Sequence, residues 1–173
     1  MPVDFRTLAF DTGRVVASAR HVGGKIFPKL YAIENLLRSV IHSILTAQAP
    51  VGTTWWDALV DQPIKDKANR LRSRYAGKPR HSSPGRHGIY YLDLFDLNEI
   101  IRANASLFRP AIPDIDHWMV NIEQLRLPRN VVAHMNWLHQ TDRSRIDVLH
   151  GDILRLVAHL QGSATITISC PPA

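Results

Sequence analysis

Two residues that can act on a phosphate lie close together in RLPRNVVAHMNWL, residues 126–138. Arg129 can stabilise negative charge, and His134 can move protons because an imidazole gains and loses a proton near neutral pH. Asn130 precedes His134 by four residues, which would place both side chains on one helix face. Pro128 suits the first turn of a helix, where unpaired N–H groups favour an anion. The stretch therefore predicts a phosphate site.

The spacing of Arg129 and His134 is not specific by itself. Composition predicts about one such pair by chance, and the chain has a second pair, Arg145 and His150. Ile146 follows Arg145 with the spacing of a buried stripe, so this second pair is expected on a core helix. Five residues turn a helix by about 500°, which leaves Arg129 and His134 about 140° apart. We therefore expect a two-fold dimer to bring the two residues together.

Helices must position these residues. The clearest helix has apolar side chains at three- and four-residue spacing from Ile26 to Ile44, and another has them from Ile146 to Leu160, closed by Gly162. Between these two the sequence predicts helices that contain WWDALV, IKDKANRLRSRY, YLDLFDLNEIIRANASLF, HWMVNIEQLRL and PRNVVAHMNWL, with Pro128 ending one helix and starting the next. The predicted fold is all-α, an antiparallel bundle of about five to six helices.

The ends of the chain are less regular. Residues 1–24 form an N-terminal arm that fits either a short strand with a helical turn or an irregular segment, ended by Gly23 and Gly24. Residues 25–162 form the bundle. Residues 163–173 form a C-terminal tail, in which the alternating ATITISC predicts one short strand.

The 173 residues suffice for one domain, and 45% are hydrophobic, which permits a proper core. The only cysteine, Cys170, cannot form a disulfide within the chain. No stretch approaches the ~18 apolar residues of a membrane span, and the N-terminus lacks the pattern of a signal peptide. We expect a soluble, cytoplasmic protein with no membrane partner.

Positive charge is concentrated in one segment. The net charge is +6, and an excess at least as large lies between residues 65 and 88, where eight Lys and Arg face one Asp. This segment includes a loop at 76–88 rich in Gly, Pro, Ser and His. This charge predicts contact with RNA phosphates. The alternative is a solvated helix face and a mobile loop. The basic residues predicted to bind RNA are Arg70, Arg72, Arg74, Lys78, Arg80 and Arg86.

No metal or other cofactor is predicted. Asp93, Asp96 and Glu99 recur every three residues, but caps at a helix start explain them better than ligands do. The spacing of His and Cys fits no zinc site. The four tryptophans are expected to pack rather than to stack on bases; they are Trp55, Trp56, Trp118 and Trp137.

The motif PRNVVAHMNW resembles the signature of the HEPN superfamily (higher eukaryotes and prokaryotes nucleotide-binding), in which an Arg and a polar residue precede a His. YAIENLLRSVIHSIL resembles the first long helix of that family, with its acidic residue at Glu34. The resemblance covers residues 25–162, with an unusual basic insertion near 76–88. It implies a dimeric helical bundle and carries over Arg129, Asn130 and His134 as catalytic residues. Glu34 would be a partner of Arg129, although pairing with Arg38 is the simpler expectation.

The resemblance implies a metal-independent endoribonuclease in a toxin–antitoxin or defence system. The 2′-OH of RNA would attack the adjacent phosphate, with His134 moving protons and Arg129 stabilising charge. A homodimer through the Arg129–His134 helix is expected, together with a nucleotidyltransferase-like or acidic antitoxin. Two alternatives stay open: a non-catalytic dimer that binds RNA or a nucleotide, and a structural interaction or immunity module.

Overall fold

A long helix, α2, forms the spine of the computed structural model, which describes residues 3–78, 80–163 and 166–172. Other helices surround it, and the described residues adopt an all-α fold, as predicted. The helices in chain order are α1 (Thr12–His21), α2 (Phe27–Gln48), α3 (Trp55–Leu59), α4 (Gln62–Tyr75), α5 (Leu94–Ala103), α6 (Ala105–Phe108), α7 (Ile115–Gln124), α8 (Arg126–Ala133) and α9 (Gln140–Gly162).

The apolar stripe of α2 forms much of the core. Leu30, Ile33, Leu37, Val40 and Ile44 are all buried, which confirms the prediction from their spacing. Full burial of each such side chain stabilises the fold by ~1.5–3 kcal/mol. The stripe of α9 faces the same core, and Gly162 is its last helical residue, as predicted. These two helices are the frame on which the candidate site is built.

The N-terminal segment is helical rather than extended. The Asp11 carboxylate accepts a hydrogen bond from the Arg14 amide at 2.9 Å and so begins α1. The backbone then passes through a π-helical turn, Val22–Ile26, directly into α2. Gly23 and Gly24 lie inside that turn, so the prediction that they end the segment was wrong. Neighbouring atoms leave open space around both glycines.

A capping box starts α5, as the acidic residues predicted. The Asp93 carboxylate accepts from the amides of Phe95 and Asp96, and the Asp96 carboxylate accepts from the Asp93 amide. The predicted single helix is interrupted at Asn104. Its side-chain amide donates to the Leu59 carbonyl at 2.9 Å, and the chain continues as the short α6.

The C-terminal tail runs along α2 and does not form the short strand predicted from its alternating pattern. Residues 166–172 have no regular secondary structure, and their hydrogen bonds go to side chains and to the segment before α5 instead of to another strand. Ser169 donates its amide to Ser43 Oγ at 2.9 Å, and Tyr90 donates its hydroxyl to the Pro171 carbonyl at 2.8 Å. The alternating apolar residues of the tail, such as Ile166 and Ile168, therefore pack against the helical core instead of forming a sheet. Residues 164–165 of the predicted strand lie outside the described residues.

None of the helices in the described part of the chain combines the length and the apolar composition needed to cross a lipid bilayer.

Candidate functional site

Arg129 lies in α8, but deeper in the helix than predicted. α7 ends at Gln124, a single residue (Leu125) follows, and α8 already begins at Arg126. Pro128 is thus the third helical residue, which its missing N–H still permits. The Arg129 amide donates to the Leu125 carbonyl at 2.9 Å. Its own N–H is therefore not available to an anion, and only the guanidinium can fill that role.

Glu34 holds the Arg129 guanidinium from α2. Arg129 Nε lies 3.3 Å from Glu34 Oε2, a contact between residues 95 positions apart. The other carboxylate oxygen, Oε1, accepts from Arg38 Nη2 at 2.5 Å. Glu34 therefore has both partners that the sequence suggested, and it joins two helices through one carboxylate.

Arg38 is a buried charge whose environment the sequence did not reveal. Its side chain is fixed from several directions: it donates to the Leu92 carbonyl at 2.9 Å, to the Ile89 carbonyl at 3.4 Å and to Asn35 Oδ1 at 3.0 Å. Only 8% of the residue is exposed. Charge-assisted bonds of this kind are stronger and shorter than neutral ones. Arg38 therefore fixes Glu34, and Glu34 in turn fixes Arg129.

A cleft of about 400 Å³ opens beside this ion-pair network. α2 contributes Phe27, Tyr31, Glu34 and Arg38, which recur at spacings of three and four and so share one helix face. α8 contributes Arg129, and the segment before α5 contributes Pro84 and Tyr90. The volume is in the range of ligand pockets. The cleft thus combines a partly exposed guanidinium with aromatic side chains.

His134 lies beyond the end of α8 and does not line this cleft. The prediction that the helix continues to Leu138 was wrong. Met135 adopts a left-handed conformation (φ 58°), its amide donates to the Val132 carbonyl at 2.8 Å, and the Asn136 amide donates to the Val131 carbonyl at 3.0 Å. These bonds are a Schellman motif, which normally has glycine where Met135 stands. It leaves His134 exposed at the end of the helix.

Asn130 faces a second, smaller cleft of about 280 Å³. Arg129 lines both clefts, and Lys67 and Arg126 join it in the second. Asn130 and His134 remain one turn apart, since the His134 amide donates to the Asn130 carbonyl at 3.0 Å. Both residues are exposed. Within one chain, the structure therefore brings Arg129 together with Glu34, whereas His134 lies apart from their cleft.

Most of the basic residues predicted to bind RNA are exposed. Arg70 and Arg74 lie on α4, and the loop that follows carries three more; the exposed residues are Arg70, Arg74, Lys78, Arg80 and Arg86. Arg80 adopts a positive φ of 69°. Charges on this surface are accessible to a polyanion.

Arg72 is the exception, because it serves the fold. Its Nη2 donates to the Arg86 carbonyl at 2.6 Å, and its guanidinium lies 5.3 Å from the centre of the Tyr91 ring. These contacts tie α4 to the basic loop, so free contact of Arg72 with RNA is not what the structure favours. Lys67 is also engaged, at 2.6 Å from an Asp96 oxygen. Partial burial lowers the Lys67 pKa, but the hydrogen bonds and charge of Asp96 outweigh this and raise it.

Within the described residues, no group of three or more His, Cys, Asp or Glu side chains is arranged to hold a metal ion. The tryptophans are packing residues: Trp55 is buried in the core, and Trp56 and Trp118 pack against it. Trp137 contacts the His21 ring, with ring centres 5.0 Å apart.

Comparison of the chain with protein-family models, with curated proteins and with solved structures finds no match.

Proposed function

We propose that the protein is a metal-independent endoribonuclease of the HEPN type, which acts as a homodimer. The observation that carries the proposal is the contact of Arg129 with Glu34, itself fixed by the buried Arg38, at the edge of an open cleft. A guanidinium fixed in this way can stabilise charge without first having to reorganise. The exposed basic residues on α4 and its loop would hold the rest of the RNA.

The reaction needs only groups that RNA and this chain supply. The 2′-oxygen attacks the adjacent phosphorus, the bond from phosphorus to the 5′-oxygen breaks, and the products are a 2′,3′-cyclic phosphate and a 5′-hydroxyl. His134 moves the proton that leaves the 2′-OH or the one that the 5′-oxygen gains. Arg129 stabilises the charge on the phosphorane. DNA lacks the attacking hydroxyl, so the substrate is RNA.

A homodimer resolves the separation of Arg129 and His134. A two-fold axis beside α8 would place His134 of one copy near Arg129 of the other. The exposed side chains of Leu127 and Met135, which flank this region, are suited to such a contact. A cytoplasmic toxin–antitoxin or defence setting fits this activity, with an acidic or nucleotidyltransferase-like antitoxin as the partner.

The test is cleavage of single-stranded RNA in EDTA. Wild type should yield fragments with 2′,3′-cyclic phosphate ends, while Arg129→Ala and His134→Ala should each be slower by at least about a hundredfold. The matched controls are Arg145→Ala and His150→Ala, which have the same spacing on α9 and should retain full activity. The proposal would be wrong if wild type did not cleave RNA, or if the Arg129 and His134 variants cleaved it as fast as wild type.

A non-catalytic RNA-binding dimer is the second candidate, favoured by the position of His134 outside the cleft. It predicts binding that weakens steeply with salt and yields no product. Arg74→Glu with Arg80→Glu should weaken binding and lower the salt slope by about 0.7 for each lost phosphate contact. Arg155→Glu, at an exposed position on α9, is the control. Unchanged binding by the double variant would exclude this role for the basic surface.

A further inference from the structure

The cleft beside Arg129 carries two exposed aromatic side chains that the proposed reaction does not use. Tyr31 is 63% exposed and Phe27 is 52% exposed, and both line the cleft with Glu34 and Arg129. The two rings have centres 6.3 Å apart and planes at 38°. They therefore form an aromatic ledge along one face of α2.

Packing does not account for the exposure of the ledge. The tryptophans of this chain are packed against the core or other side chains, and Trp55 is 3% exposed. Tyr31 instead is 63% exposed and lines the cleft, about one turn before Glu34. Exposed aromatic faces next to a cation are the usual means by which proteins bind unpaired bases, because every base has a face that can stack.

The charges around the ledge indicate which kind of ligand it suits. Glu34 is engaged by Arg38 and Arg129, so its negative charge is offset, and Arg129 remains partly exposed at the cleft. A ligand that carries a phosphate beside a flat ring satisfies both features at once. A nucleotide unit of single-stranded RNA has this chemistry, whereas a base in a duplex is already stacked.

We propose that Tyr31, supported by Phe27, stacks on the nucleobase next to the phosphate that Arg129 contacts, and so selects single-stranded RNA. This inference rests on the proposed function for its ligand. It adds a subsite that is independent of the catalytic step, because stacking requires neither His134 nor cleavage.

Binding of a 2′-O-methyl oligouridine tests the subsite, since the blocked 2′-oxygen prevents cleavage. Tyr31→Ala should bind the oligomer about five- to a hundredfold more weakly than wild type, and Tyr31→Phe should bind it nearly as well because the ring remains. An oligomer with the same sugars and phosphates but no bases should bind wild type and Tyr31→Ala equally. Phe10→Ala, which removes an exposed aromatic ring outside the cleft, is the matched control.

Four outcomes would overturn the inference. Equal binding of oligouridine by wild type and Tyr31→Ala would remove the subsite alone, provided that wild type still cleaves RNA. An equal loss on the oligomer without bases would show that Tyr31 acts through the phosphates or the fold. Dissociation of Tyr31→Ala dimers in sedimentation, with RNA affinity unchanged at high protein concentration, would assign the ledge to the contact between copies. If wild type neither binds nor cleaves RNA, the proposed function fails together with the subsite.

Discussion

At the scale of single residues, Glu34 is the residue on which the geometry of the site depends. It accepts from Arg38, which is buried, and from Arg129, which lines the cleft. The sequence offered these two partners as alternatives, since Arg38 lies four positions away on the helix and Arg129 is a partner only through the family resemblance. A carboxylate has two oxygens and several lone pairs, so both contacts form together.

Glu34→Gln should destabilise the fold and slow RNA cleavage. The amide keeps one acceptor, but the buried Arg38 loses its compensating charge, which costs about 1 to 3 kcal/mol in the free energy of unfolding. Urea denaturation measures this cost.

Glu99→Gln is the control for that change, because the contact of Glu99 with Arg102 is exposed. Its loss should cost less than ~1 kcal/mol. Equal stability of wild type and Glu34→Gln would contradict the role assigned to this carboxylate.

A second group of residues makes the fold sensitive to acid. His42 and His87 lie beside Trp55, whose Nε1 donates to His42 Nδ1 at 2.9 Å and whose ring stacks on His87. His87 Nδ1 accepts from the Ile89 amide at 3.2 Å. Both nitrogens act as acceptors, so both rings are held neutral. Burial lowers the pKa of His42. It also lowers the pKa of His87 from 6.5 to about 4, helped by the positive charge that His42 carries when protonated and by Arg72, and opposed by Asp57.

Stability should therefore fall as the pH falls from 6.5 towards 4. The unfolded chain binds the His87 proton below about 6.5, whereas the folded chain binds it only near 4, so the full contribution is present above pH 6.5. His87→Phe keeps a ring beside Trp55 and cannot titrate. Relative to this variant, wild type should lose about 1 to 2 kcal/mol between pH 7 and 4.5, after allowance for partial exposure. If the urea midpoints of wild type and His87→Phe changed equally with pH, the assignment of this acid sensitivity to His87 would be wrong.

At the scale of elements, α8 shows where sequence patterns stop being informative. The stripe of α2 was predictable because apolar residues at repeated three- and four-residue spacing indicate a helix with one face buried in the core. The end of α8 was not, because a left-handed residue is normally signalled by glycine and this chain has Met135 there. Arg38 was equally hard to predict, since two of its partners are carbonyls more than 50 residues away. Arg72 looked like a free cation because its partners, the Arg86 carbonyl and the Tyr91 ring, come from the far side of the basic loop.

Met135→Gly should stabilise the protein. Glycine adopts a φ near 58° without the steric cost of a Cβ, and within one chain the Met135 side chain (85% exposed) gives up little packing. The comparison is made at a protein concentration at which the chain is monomeric, because Met135 also belongs to the proposed contact between copies. The expected gain is about 0.5 to 1 kcal/mol in urea denaturation. Met135→Ala keeps the Cβ and should show no gain, so an equal effect of both changes would contradict backbone strain at this position.

At the scale of the whole molecule, the chain brings the parts of the candidate site to one region from distant places in the sequence. Glu34 comes from α2, Arg129 from α8, and Tyr90 from the segment that the C-terminal tail holds through its hydrogen bond to Pro171. The all-α class and most of the long helices could be predicted from the sequence. The path of the tail could not, because it depends on contacts between remote segments. The early end of α8 at His134 could not either, because Met135 stands where glycine normally signals a left-handed residue.

The central claim, that Arg129 and His134 act together on RNA across a homodimer, is tested most directly by mixing two inactive variants. Arg129→Ala and His134→Ala are unfolded together, refolded as a mixture, and assayed for RNA cleavage in EDTA against each variant alone. Random pairing makes about half of the dimers heterodimers of the two variants. Each heterodimer has one intact site out of two, so activity should recover to about a quarter of wild type. A mixture as inactive as its components, or single variants as active as wild type, would contradict the account.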